Sequence, residues 1–159
     1  MKILAIDPGE TIGVACLAST ETTPAALWSW GSVPVVDGFR NLVWSTIRET
    51  LLGSFQINLP DVVVLEDYRV YKSAAKAHIG SRVLTAELIG AICYQSFQLG
   101  VGVVRVAASK KGKWPEARLK SKFPSYFRAQ TEHERDAILL ALIYIEEVLG
   151  RHLPCSSTS

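Results

Sequence analysis

Residues 1–16, MKILAIDPGETIGVAC, decide how the rest of the chain is read. Ile3, Leu4, Ala5 and Ile6 form an unbroken apolar run, the composition of a strand buried on both faces. The run meets the carboxylate of Asp7, and Pro8-Gly9 then breaks the extended backbone. A second apolar run begins at Ile12. A strand built for the interior that ends on a charge needs a reason for that charge, and two further segments of the chain pose the same question.

Working outward, 2–7 reads as a first strand, 12–18 as a second and 26–33 (ALWSWGSV) as a third. Their short connections favour an antiparallel meander. Over 38–53 (GFRNLVWSTIRETLLG) the apolar residues recur at helical spacing, with Gly53 as the stop. After Pro60, DVVVLE is a uniformly apolar fourth strand, as a central parallel strand is. A helix spans 81–99, with a start as early as Ala74, and VGVVRV (101–106) is a fifth strand. Residues 107–130 read as an irregular basic loop. TEHERDAILLALIYIEEVLG (131–150) is a strong helix, with Thr131 as cap and Gly150 behind it. The order βββαβαβ, then loop, then helix predicts an α/β fold. Its mixed five-stranded sheet has three antiparallel strands, two parallel ones, and helices on its faces. We expect one domain over 1–150 and a short tail over 151–159, whose closing SSTS reads as disordered.

With 159 residues the chain is long enough for a core without staples. A net charge of +2 identifies no partner, but its distribution is uneven. Eight Lys/Arg lie between Arg105 and Arg128, with Glu116 the one acid among them. Such a segment predicts an anionic partner. The three cysteines, Cys16, Cys93 and Cys155, form neither a CxxC nor a zinc pattern. Cys16 and Cys93 sit in apolar runs and read as buried thiols in a reducing compartment. No segment resembles a signal peptide or reaches the ~20 apolar residues of a membrane span. The expected location is cytoplasmic.

Asp7 ends the first strand and Glu66 the fourth, while Asp136 opens the last helix three residues after His133. Ligands of α/β sheets bind at the rim formed by strand ends. If strands one and four are neighbours, Asp7 and Glu66 come side by side, and the last helix can set His133 and Asp136 against them. Three convergent carboxylates repel unless cations lie between them. Such a cluster suits Mg²⁺, which takes a few carboxylates plus water and phosphate oxygens. Any one of these acids is more often a turn or cap residue; it is their coincidence that points to a site. Asp67 should face the other way, and Glu87 should lie on the surface.

Three segments, AIDPGETIGVA, VVVLEDYRVY and HERDAILLAL, resemble in order and separation the active-site segments of RuvC-type Holliday junction resolvases. These are nucleases of RNase H-like fold, and the likeness is nearest to bacteriophage-encoded members. GSRVLTAELIGAI resembles their long helix after the second acidic motif. The resemblance implies an RNase H-like sheet and metal-dependent hydrolysis of phosphodiester bonds in branched DNA, four-way junctions above all. It implies two Mg²⁺ ions per site, with Mn²⁺ as an alternative, no organic cofactor, and a homodimer. If the chain is phage-encoded, the compartment is the host cytoplasm. By the same resemblance Asp7, Glu66 and Asp136 are the metal-binding catalytic acids. The last motif often reads Asp-x-x-Asp, so His133 takes the fourth place, as metal ligand, water-positioning group or general acid. The family also carries an aromatic just past the second acid; here Tyr68 and Tyr71 flank Arg69 in that position.

Phosphate contacts are expected from Arg69, Lys72 and Lys76 after the fourth strand, and from Lys110, Lys111 and Lys113 in the basic loop. Trp114 either stacks on a base or anchors that loop. The helix at 81–99, with Gly90 and Ala91, is a candidate dimer interface. Two other readings keep the fold: an RNase of the type that trims ribosomal RNA precursors, and a nucleic-acid-binding domain without catalysis. The latter should lack one of the three acids, and all three are present. An actin-like phosphotransferase would need two such lobes.

Overall fold

The computed structural model describes residues 1–18, 26–34, 59–68 and 84–151. The helix expected over 38–53 and nearly all of the expected tail lie outside the described residues. Five strands form one sheet: β1 (Lys2–Asp7), β2 (Thr11–Ala18), β3 (Ala26–Pro34), β4 (Val62–Asp67) and β5 (Gly102–Ala107). Their order is β3-β2-β1-β4-β5. The first three are antiparallel neighbours, and β4 and β5 run parallel to β1. This is the expected mixed sheet. Asp61 fixes the register of β4 on β1: its backbone N–H donates to the Lys2 carbonyl, and its carboxylate accepts from the Lys2 N–H.

Side-chain alternation sorts the strands onto two faces. Ile3, Ala5, Ala15, Leu17, Val62, Val64 and Val106 face one core, and Leu4, Ile6, Cys16, Val63 and Leu65 face the other. Helix α1 (Leu84–Gln98) covers the second face with Leu88, Ile89, Ala91 and Ile92. Ala91 is thus spent on the sheet and is not available to a partner, whereas Gly90 is open to solvent. Cys93 is only half-buried, with the Arg105 guanidinium 3.7 Å from its sulfur, because it sits at the margin of α1's buried stripe.

Residues 107–130 are not the irregular loop their Gly and Pro content predicts. A 3₁₀ turn (Ala108–Lys113), helix α2 (Glu116–Lys122) and a second 3₁₀ turn (Pro124–Arg128) follow one another. The prolines start structure here: Pro115 is the N-cap of α2 and Pro124 opens the second turn. Trp114, Leu119 and Phe123 are buried in the first core and hold the three pieces down. Trp114, 4 % exposed with the Arg118 guanidinium 4.2 Å above its ring, is an anchor and not an open stacking platform.

Helix α3 (Glu132–Ile143) lies on the first face, and every residue from Ala137 to Ile145 is buried. A helix apolar on all sides can exist only inside the fold. Truncating a fully buried residue such as Leu140 to Ala should cost ~2–5 kcal/mol. The helix does not run on regularly to Gly150. It widens into a π turn (Tyr144–Val148), and Gly150, at φ 64°, closes it with the Arg151 N–H donating to the Ile145 carbonyl.

Candidate active site

The alternation that builds the core also aims the acids. Asp7 continues the Ile3, Ala5 series and Glu66 the Val62, Val64 series, so both point to the face that carries α3. Ile6 pairs with Leu65, which sets Asp7 beside Glu66 at the C-terminal rim of the parallel strands. Asp67 falls on the opposite parity, as expected. Oxygen atoms of Asp7, Glu66 and Asp136 all lie within 4.8 Å of one another. Among the described residues they form the one such group of three.

Two local features bring α3 to this rim. Its N-terminus is a capping box: the Glu134 N–H donates to Thr131 Oγ1, and the Thr131 N–H donates back to Glu134 Oε2. That buried carboxylate also accepts from the Gln130 N–H at 2.8 Å and from Ser32 Oγ on β3 at 3.3 Å. The second feature is Gly13, which pairs with Asp7 across β1 and β2. A Cβ on Gly13 would lie 1.9 Å from the His133 carbonyl oxygen. Glycine is the residue that lets the first turn of α3 rest directly on the strand.

His133 Nδ1 is 3.2 Å from Asp7 Oδ2, so the imidazole touches the cluster through one of its acids. Burial pushes the Asp7 carboxyl above its usual range. The Lys111 charge and the His133 hydrogen bond oppose this, while the Asp136 and Glu66 charges add to it. Tyr126, packed on the first core, has its phenol pushed up by burial and by the Asp136 charge, against Arg135 and Lys111.

Lys111 is expected on an exposed phosphate-binding loop and instead lies inside the acid cluster. Its ammonium is 2.5 Å from Glu66 Oε2, 2.5 Å from Asp136 Oδ2 and 3.7 Å from Asp7 Oδ1. Burial disfavours this charge, but the hydrogen bonds to Asp136 and Glu66, with the Asp7 and Asp136 charges, outweigh it and hold the lysine above its usual value. Lys110 pairs with Glu147 at 3.3 Å, and Lys122 with Glu146 at 2.5 Å. Arg118 also pairs with Glu146, and Lys120 with Glu116. Much of the basic segment is therefore neutralised within the chain. Lys113 is exposed and has no ion pair among the described residues. Tyr68 packs against the second core, while Arg69, Tyr71, Lys72 and Lys76 lie outside the described residues.

The donor set fits a hard divalent cation: three carboxylates, no thiolate, and a histidine at the edge. The cluster already draws one positive group to its centre, as convergent carboxylates must. Reasoning from sequence found the acids because each lies near the end or start of a recognisable element. It missed Gly13, Glu134 and the inward turn of Lys111, which depend on how elements meet. The one advance signal for Gly13 was its place in the IGVA run.

No protein-family model matches the sequence, and no curated protein matches it. Solved structures do match. "T. thermophilus RuvC in complex with Holliday junction substrate" aligns with TM-score 0.70 at 18 % identity, covering 94 % of this chain and 97 % of that one. A Fowlpox virus resolvase, solved with Holliday junction DNA, aligns with TM-score 0.60 at 17 % identity, covering 91 % and 99 %. The yeast mitochondrial Holliday junction resolvase Ydc2 aligns with TM-score 0.52 at 12 % identity, covering 87 % and 76 %. The chain has the RuvC-type resolvase fold, an RNase H-like mixed sheet flanked by helices.

Proposed function

We propose that this chain is a metal-dependent, structure-selective endodeoxyribonuclease that cuts four-way and other branched DNA. The observation that carries the reading is the convergence of Asp7, Glu66 and Asp136 from β1, β4 and α3 at one rim. Two similar structures, the T. thermophilus and Fowlpox virus resolvases, hold Holliday junction DNA, which supports the choice of substrate. The three carboxylates would hold two Mg²⁺, or Mn²⁺, ions. Held there, such ions would supply an activated water and stabilise charge on the leaving oxygen of the phosphodiester. His133 acts on this centre through Asp7, fixing the carboxylate's orientation. Arg69, Lys72, Lys76 and Lys113 carry phosphate contacts, with Tyr68 or Tyr71 beside the unpaired bases. One nuclease domain over 1–150 does this work, in the cytoplasm of the cell or of a phage's host. Among the described residues no helix is long and apolar enough to cross a membrane.

A four-way junction offers two symmetry-related strands, and a homodimer matches that symmetry. Helix α1 turns Phe97, 79 % exposed, and Tyr94, 55 % exposed, away from the sheet, beside open Gly90. These residues form the dimer contact in this reading. The deciding experiment presents labelled four-way junction, linear duplex and RNA–DNA hybrid to the protein with Mg²⁺ or EDTA. Junction cleavage abolished by EDTA is expected. Preference for the hybrid would redirect the assignment to RNA, and binding without cleavage would leave only a recognition domain.

A further inference from the structure

The ammonium of Lys111 stands where the three carboxylates converge, with its two shortest contacts to Glu66 Oε2 and Asp136 Oδ2 at 2.5 Å. A Mg²⁺ ion bound by these acids needs ligand oxygens at about 2.0–2.1 Å. An ion placed where the three carboxylates converge would meet the ammonium in the same space, so the two cations compete for that point. Among the described residues, Lys110, Lys122 and Arg118 are taken by Glu147 and Glu146, and Lys111 is the lysine that reaches the cluster. The backbone under Lys111 is fixed on both sides. The Lys110 ion pair holds it before and buried Trp114 holds it after, within and just past the 3₁₀ turn Ala108–Lys113. Only the four-carbon stem of Lys111 needs to move for the ammonium to leave, and Gly112 beside it opens onto free space.

We propose that Lys111 is a built-in counter-ion that competes with divalent cations for the Asp7, Glu66 and Asp136 cluster and withdraws when they bind. This rests on the reading of the three acids as a metal site. Without metal the ammonium keeps mutually repelling carboxylates in their working positions. With metal it is displaced to the rim, still one side-chain length from the site, where phosphate oxygens of a nucleic acid arrive. Occupancy of the site by metal is thereby set by an exchange of cations, not by filling an open cavity.

Calorimetric titration of the EDTA-stripped protein with Mg²⁺ and Mn²⁺ tests this in wild type, Lys111→Met and Asp7→Asn, together with melting temperatures. Lys111→Met should bind either metal at least roughly tenfold more tightly than wild type, since no attached charge competes. It should melt lower than wild type in EDTA and gain more from added metal. Asp7→Asn should bind metal more weakly than both. Equal metal affinity in wild type and Lys111→Met overturns the exchange while leaving the metal site standing. Absence of metal binding in both overturns the site itself and the exchange with it. Should Lys111→Met not fold, the NMR signals of isotope-labelled lysine side chains in wild type carry the test. The Lys111 εCH₂ resonance must move with the same midpoint as metal binding, and a resonance unmoved at saturating Mg²⁺ rejects the proposal.

Discussion

Asp7 faces two partners of different kinds, the Lys111 ammonium at 3.7 Å and the His133 imidazole at 3.2 Å. Replacing it with Asn keeps its size and removes a charge that the proposed metal ions would need. Asp7→Asn should therefore lose junction cleavage by orders of magnitude while junction binding persists, because less negative charge then faces the phosphates. Gel-shift and cleavage assays on one junction separate the two, and wild-type cleavage by the variant would remove Asp7 from the site. His133 touches the cluster through Asp7, so His133→Ala should cost less than Asp7→Asn. His133→Asp should cleave better than His133→Ala, since a carboxylate can share in holding the ions. Equal loss in both variants would instead assign His133 a proton-donating role. The same small group of residues sets a pH dependence for the metal-free fold. The Lys111 ammonium faces Asp7, Glu66 and Asp136 and is held above its usual 10.5, and the Tyr126 phenol above its usual 10.0. In both cases the folded state keeps its proton longer than the unfolded one. The stability each contributes is complete below its unfolded value and is lost as pH rises through its folded value. Melting temperature in EDTA should fall through this alkaline window, and the fall should be shallower in Lys111→Met.

At the scale of elements, the site is the meeting of three strand ends with the first turns of one helix. Gly13 sets how close that helix comes. Gly13→Ala must displace the His133 carbonyl, which lies 1.9 Å from the new Cβ, and overpacking of this kind costs ~1–3 kcal/mol. Asp136 would move away from Asp7 with the helix. A misplacement near 1 Å lowers rates by about 10²-fold, so cleavage should fall well beyond what the loss of stability explains. Thr131→Ala, which removes a cap without moving the helix sideways, should cost ~1 kcal/mol of stability and much less activity. Measuring melting temperature and cleavage together in the two variants distinguishes positioning from general destabilisation. The contrast also explains what was readable in advance. Strands β1, β2, β4 and β5 and helix α3 announce themselves through apolar runs and the Thr131 cap, because their own residues determine them. The three acids were legible for the same reason, Asp7 and Glu66 lying at the end of such a run and Asp136 at the start of one. Residues 107–130 were not, because Pro115 and Pro124 read as breaks when they are starts, and the burial of Trp114, Leu119 and Phe123 that stabilises those turns comes from distant parts of the chain. Nor could spacing say which lysine of 110, 111 and 113 turns inward. That depends on the phase of one 3₁₀ turn after β5.

For the whole molecule, the two faces of the sheet have separate duties. The face carrying α3 holds the acids at its rim, and the face carrying α1 ends in an exposed apolar stripe on the far side of that helix. Phe97, a large apolar group left mostly in solvent, stands there about one turn after Tyr94. Pairing two copies through this stripe puts one acid cluster on each side of a two-fold axis, which is what two symmetric incisions in a four-way junction require. Phe97→Glu on α1 should convert the proposed dimer to monomer by light scattering, with little change in melting temperature, since the side chain contributes almost nothing to its own core. The functional consequence is separable from loss of the site. On a supercoiled plasmid that extrudes a cruciform, wild type paired in the proposed dimer should cut both strands before release and give linear product. The Phe97→Glu monomer keeps Asp7, Glu66 and Asp136 intact, so it should still cut in Mg²⁺, but one strand at a time, and nicked circles should accumulate first. A monomeric variant that yields linear product as directly as wild type would show that paired incision does not depend on this face. A variant still dimeric by light scattering would move the interface elsewhere on the molecule.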